Sequence, residues 1–358
     1  MEGSPIDIVI FAALAPMLGV LLFWFIQLLF IESQKFLLQK IRAKHKPLIR
    51  FTNYLGILFQ TICHALGYTV TKSGISEFYI SVNYGRVAPK KLKKGVFEWI
   101  SNAFLFIGPF FIPAFLILIC IFFLVPNSFQ IVVPENILNL KYTFGGQIII
   151  FGTSLYNFTS KFFEFLVNID LLHPGHLGFF IFMIFLGLGI RPTYIGEKKQ
   201  DKIDMIYDLR NIWSLIRYKP VYLIILFSIA YIIFYISLYL NQNWYVMIFI
   251  VFGWVSVISI TSLFISHLMI IIIKVTDEIP KYWKTIPYFI LFFSYILSRL
   301  FFYYFPNVYS KTISLLVMII STIFVLYILL IYKSDKFKTK REMKLLKKKT
   351  QGDADEQQ

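Results

Sequence analysis

Charge is scarce in this sequence: only 15% of its 358 residues are Asp, Glu, Lys or Arg, against about a quarter in an ordinary soluble domain. That shortage excludes a well-solvated soluble surface. Cysteine is nearly missing as well. The two present, Cys63 and Cys120, lie in apolar helix-like stretches, which excludes a disulfide framework and reads as a pair of buried thiols. Residues 8–31 have no basic leader and no small-residue cleavage site after them, so they read as a first span rather than a cleaved signal. No internal repeat is visible. In place of charge, 58% of the chain is hydrophobic and 19% aromatic, with 40 Phe and 22 Tyr. Mean hydropathy is +0.71. Several windows reach the roughly 20 apolar residues needed to cross a hydrocarbon core of about 30 Å, and the aromatic load suits lipid-facing and interfacial positions. The chain reads as an integral, multi-pass membrane protein.

The basic residues are grouped. Of 35 Lys and Arg, six lie in 32–50, six in 71–97, seven in 191–219, three in 274–284 and nine in 333–349. Basic connectors between apolar spans are a topology signal, so specific nucleic-acid binding is not expected. The groups at 191–219, 274–284 and the tail fall consistently on one side, which predicts a cytoplasmic C-terminal tail. The groups at 32–50 and 71–97 conflict, because a full span between them should put them on opposite sides. Either 51–70 enters without crossing, or 32–50 breaks the rule.

The expected fold is an all-α polytopic membrane protein of about eight or nine membrane segments, with a small β-hairpin between the second and third helices. Helices are predicted at about 8–31, 51–70, 98–125, 176–190, 220–240, 244–273, 285–305 and 311–332. The apolar stretch 144–168, interrupted by Gly145, Gly146 and Gly152, is expected to be re-entrant or interfacial, and 126–143 is mixed. "GISEFYISVNYGRVAPKK" alternates, is rich in β-formers and carries Tyr84-Gly85 as a turn signal. The domains expected are an N-terminal span and connector (1–50), a membrane core (51–190), a basic loop (191–219), a four-helix region (220–332) and a basic-then-acidic disordered tail (333–358). The Lys-rich tail suits anionic lipid or another acidic partner.

The most informative stretch is "ICHALGYT" (62–69), which nearly spells the HExxH signature. That motif sets two His at i and i+4 on one helix face around a zinc ion, with a Glu between them as general base. Here His64 stands in the first ligand place, Ala65 in the base place and Tyr68 in the second ligand place. "NYLGILFQTICHALGYTV", then "SEFYISVNYGRV", then "SNAFLFIGPFFIPAF" with Gly108-Pro109, resembles in order the core of the site-2 protease family of intramembrane zinc metalloproteases. The resemblance covers roughly 140 residues. It implies a helix carrying the motif, a membrane-dipping hairpin that clamps substrate as an added strand, a Gly-Pro helix, and a third core helix bearing an aspartate ligand. "NIDLLHPGHLG" (168–178) is similar to that last stretch, with His173 near the aspartate's place; Asp208 is the other candidate.

The departures point away from proteolysis. Ala65 has no proton-accepting group, and a phenol with pKa about 10 is a poor ligand at neutral pH. The expected function is therefore a proteolytically inactive, site-2-protease-like protein that binds or regulates membrane client segments. Tyr79, Ile80, Ser81, Val82, Asn83 and Tyr84 are the expected strand-addition residues. No cofactor is expected. The rival is an active intramembrane zinc metalloprotease with altered ligands drawn from His64, His173, His176 and Asp208, since three imidazoles can hold catalytic zinc. His173 and His176 also read as loop and cap residues around Pro174-Gly175. A transporter or channel using 144–168 as a re-entrant element is a third reading. Arg299 is expected to snorkel or to pair near a helix end.

Overall fold

The structure is a computed structural model that describes residues 6–124, 142–199, 201–279 and 283–355. Residues 126–141 of the mixed connector and the last three of the tail lie outside them. The described residues are mostly helical, at 78%. After a short π-helical turn at Asp7–Phe11, the helices are α1 (Ala12–Ile41), α2 (Lys46–Val70), α3 (Val96–Phe106), α4 (Gly108–Leu124), α5 (Phe144–Val167), α6 (Pro174–Gly189), α7 (Met205–Tyr218), α8 (Pro220–Tyr239), α9 (Trp244–Thr276), α10 (Ile286–Tyr304) and α11 (Ser310–Asp355). Two small antiparallel sheets interrupt them: β1 (Ile75–Ile80) with β2 (Gly85–Pro89), and β3 (Tyr194–Ile195) with β4 (Asp201–Lys202).

Five helices among the described residues are long and apolar enough to cross a membrane: α1, α8, α9, α10 and residues 310–332 of α11. The last four coincide with the C-terminal spans expected from hydropathy. The stretch expected as one helix over 98–125 is instead two, bent by 69°. Gly108-Pro109 accounts for the break, because a proline has no N–H to donate and its ring crowds the residue before it. Counting that pair as one span gives six. The larger expected number included α2 and α5, which are long enough but too polar, and α6, which is apolar but only 16 residues long. The glycines of 144–168 do not interrupt α5, which is a continuous helix of 24 residues.

The chain divides into two compact units, Met1–Phe165 with Leu171–Leu268, and Leu166–Asp170 with Met269–Gln358. In the first, α9 forms the core: 61% of its spanning window is buried, against 28% for α1 and 11% for α8. Its Ser256, Ser259, Ser262 and Ser266 are fully buried, because small residues let helix backbones approach where lipid supplies no hydrophobic drive. A Cβ at Gly187 on α6 would collide with the Ser262 carbonyl, so glycine is required at that crossing. At the other end of α1, Ala12 and Ala13 pack with Phe234 of α8 and Tyr245 of α9. In the second unit α10 and α11 run antiparallel. Ser298 bonds Ser314 at 3.1 Å and Ser294 bonds Ser321 at 2.9 Å across them.

Candidate functional site

The signature-like stretch lies in the second half of α2. Its two faces do different work. Cys63 and Gly67 are buried, and the helix packs closely there. A Cβ at Gly108 would lie 3.1 Å from Cys63 Cβ, and one at Gly67 would lie 2.9 Å from Phe104 Cβ. The Gly-Pro start of α4 thus seats directly on α2, beside His64. Cys120 is only half-buried, and both thiols are free. On the other face His64 and Tyr68 are one turn apart and their rings meet, with centroids 4.5 Å apart. His64 Nε2 is enclosed with no hydrogen-bond partner among the described residues. Ala65 between them is half-buried and offers only a methyl group.

The expected remodelled ligand set is not assembled. A Cβ at Gly175 would lie 3.6 Å from Leu124 Cδ2, so the 173–176 turn sits at the far end of α4 from Gly108 and Cys63. The 17 residues of α4 make that separation about 24 Å at 1.5 Å rise per residue. His173 and His176 instead face each other, centroids 4.7 Å apart, and the His176 N–H reaches His173 Nδ1 at 3.4 Å to cap α6. This is the loop-and-cap reading. Among the described residues, no group of three or more His, Cys, Asp or Glu side chains is placed to hold a metal ion. At the motif positions Ala65 and Tyr68 supply neither the carboxylate nor the second imidazole of the family's zinc site.

Asp208 has a different partner. It is buried at the first turn of α7 and accepts a hydrogen bond from Arg191 Nη2. Both side chains are 1% exposed. The Arg191 guanidinium also lies 5.4 Å from the Phe110 ring centroid. Lys35 of α1 is buried nearby, with its Nζ unpartnered among the described residues. Glu32 Oε2 accepts from the Met205 N–H at 3.1 Å, and Asp204 caps α7 through the Tyr207 N–H at 2.8 Å. A polar knot thus ties α1, the segment after α6 and α7 together. The region read as a basic loop over 191–219 contains the helix α7, which buries Asp208 and Leu215.

The hairpin forms where the alternation predicts, folded back along α2. Gly85 allows this, since a Cβ there would strike Thr61 Oγ1. Asn53 of α2 fixes the tip. Its Nδ2 donates to the Val82 carbonyl at 2.7 Å, while its Oδ1 accepts from the Thr193 and Tyr194 N–H groups, both at 2.9 Å. Of the residues expected to add a strand, only Tyr79 and Ile80 lie in β1. Ser81, Val82, Asn83 and Tyr84 form the turn: Ser81 Oγ donates to the Tyr84 carbonyl at 2.9 Å, and the Asn83 carbonyl accepts from the Gly196 N–H at 3.1 Å. Desolvation, and then the Glu197 carboxylate, push the Tyr84 phenol above its ordinary range. The exposed edge is therefore earlier in sequence. Ile75, Phe78 and Tyr79 are 40%, 49% and 47% exposed. A bulge at the start of β1, where the register shifts between Ile75 and Glu77, leaves 77–80 as regular strand.

In the second unit Arg299 pairs as expected near a helix end. Its Nη2 lies 2.7 Å from Asp170 Oδ2, and Tyr295 Oη donates to Asp170 Oδ1 at 3.2 Å. Asn53 and Arg191 are the structural residues that motif reading passes over. The only sequence signal for Asn53 is a polar side chain within an apolar helix, and Arg191 looks like one more connector charge. No protein-family model matches this chain, and no curated protein or solved structure matches it either.

Proposed function

We propose that this is a multi-pass membrane protein whose 51–190 core is site-2-protease-like but proteolytically silent, and that it holds an extended membrane client along the outer edge of β1. The observation that carries the reading is that edge. An exposed strand bearing large apolar side chains is a pairing template that proteins normally cover or blunt, and here Phe78 and Tyr79 stand open on it. Strand addition satisfies its backbone groups while the alternate side chains select the partner. The seating of Gly108-Pro109 against Cys63, beside His64, supports kinship with the protease core. Ala65 and Tyr68 remove the base and the second ligand from it. The reading counts α2, α5 and α6 as embedded helices beside up to six spans, nine segments in all. Their buried polar residues, Asn53, Thr61 and Gln147 among them, face protein rather than lipid. The basic groups at 191–219 and 274–284 and the tail lie on the cytoplasmic side.

The test has two arms. Reconstituted protein is given membrane peptides that carry an extended flank, and products are read by mass spectrometry while zinc is measured on the purified chain. The reading predicts no cleavage and no zinc lost on His64→Ala. Cleavage abolished by His64→Ala would sink it. In the second arm, Phe78→Pro, which removes a backbone donor from β1, is expected to abolish peptide retention; retention equal to wild type counts against strand addition.

A further inference from the structure

The turn between α1 and α2 encloses a cavity of about 550 Å³, within the size range of small-ligand sites. Three cations line it: Arg42 from the turn, and Lys46 and Arg50 from α2. Lys46 and Arg50 are four residues apart and so share one helix face. Arg42 is held in place, with Nη1 donating to Tyr194 Oη at 2.7 Å and its guanidinium 4.8 Å from that ring's centroid. Gln39 and Asn83 add amides to the wall. Among the described residues, no acidic side chain lines the cavity. None of the three cations belongs to an ion pair among the described residues. Furthermore, α2 begins at Lys46 without a side-chain cap, so the amides of its first turn add positive potential at the same mouth. Three cations in a concave site, with no acid among its described lining residues, are complementary to a compact polyanion, and guanidinium groups match phosphate oxygens in pairs.

We infer that this cavity binds the phosphate-monoester headgroup of an anionic membrane lipid. Phosphate chemistry alone would equally admit a free phosphate compound, but the surroundings favour a lipid. Tyr54, one turn beyond Arg50 on α2, is 37% exposed and offers apolar surface beside the charge. The cavity also begins about 12 Å of helix beyond Ile31, where the apolar run of α1 ends. That depth is outside the hydrocarbon core. The site is separate from the β1 edge and does not depend on the protease kinship.

The test uses the full chain in neutral detergent, titrated with dioctanoyl phosphatidylinositol 4-phosphate and followed by intrinsic tryptophan fluorescence or thermophoresis. Binding is expected, weakening as salt is raised. The triple variant Arg42→Gln, Lys46→Gln, Arg50→Gln is expected to lose affinity at least about tenfold, since each charge-assisted contact removed is worth about that factor. Neutralising Lys347, Lys348 and Lys349 to Gln in the tail, the same change in net charge, is expected to leave affinity within about twofold. If the triple variant misfolds, Arg50→Gln alone, on an exposed side chain, gives the reading with a smaller loss in the same direction. Three results would overturn the inference: wild-type affinity in the cavity variants, an equal loss on neutralising the tail, or equal binding of dioctanoyl phosphatidylserine. Displacement by inorganic phosphate at the lipid's own concentration would overturn the lipid assignment in favour of a free phosphate ligand.

Discussion

Arg191 is sealed against Asp208 inside the first unit, while Arg42, Lys46 and Arg50 stand open around a cavity with no acid on its wall. The two sites share residue types and differ in matching. A buried guanidinium is tolerable only when paired and hydrogen-bonded, because taking a charge out of water costs several kcal/mol (roughly) even after relaxation. An exposed cation costs little to keep unpaired, so leaving three of them facing one space is informative about what meets them there. The same contrast holds for the backbone. The hairpin tip is bonded to Asn53 and Gly196, whereas β1 keeps an open edge. At these two places matched polar groups hold the fold together, whereas the three cations and the strand edge stand open.

The largest way to break the comparison is Asp208→Ala. It leaves Arg191 as a buried cation without its counter-charge, and should cost about 3–5 kcal/mol, read as a large fall in thermal unfolding temperature in detergent. The paired change Arg191→Met with Asp208→Leu should recover most of that loss, because a well-packed apolar pair can replace a buried ion pair. A paired variant as unstable as Asp208→Ala would mean that the charges do more than neutralise each other. Next in size is Asn53→Ala, which strands the Val82 carbonyl and two N–H groups. About 1–3 kcal/mol is expected, with faster hydrogen exchange confined to 81–84 and 193–196. Exchange that quickened equally throughout α2 would show that Asn53 supports the helix rather than the tip. The smallest stability effect belongs to the open cations of α2: neutralising Lys46 and Arg50 together should change unfolding by about 0.5 kcal/mol or less.

Much of the architecture is legible before any coordinates, for a physical reason. Hydropathy reports a local property, and α8 to α11 are set by local apolar length. The hairpin is legible too, because alternation and a Tyr84-Gly85 turn are local signals. What escapes reading is pairing at a distance. Nothing local to Asp208 says that its partner is Arg191, so a ligand reading and an ion-pair reading look alike until the fold is known. His173 and His176 fail as partners of His64 because the length of α4 separates them, and that length matters only once both of its ends are seen to be anchored. The strand edge shifts from 79–84 to 75–80 for the same reason: Asn53 claims the tip from 29 residues away.

The most direct test of the central claim is a photo-crosslinking amino acid placed at Phe78 in the full chain, in its own membranes, beside a control at Ile224, an exposed residue on α8. The account predicts one or a few discrete adducts from position 78, whose partner peptides map to extended segments flanking a membrane span, and predicts that Ile80→Pro, two residues along the same edge, removes them. Adducts to lipid alone, or the same partners from both positions, would contradict it.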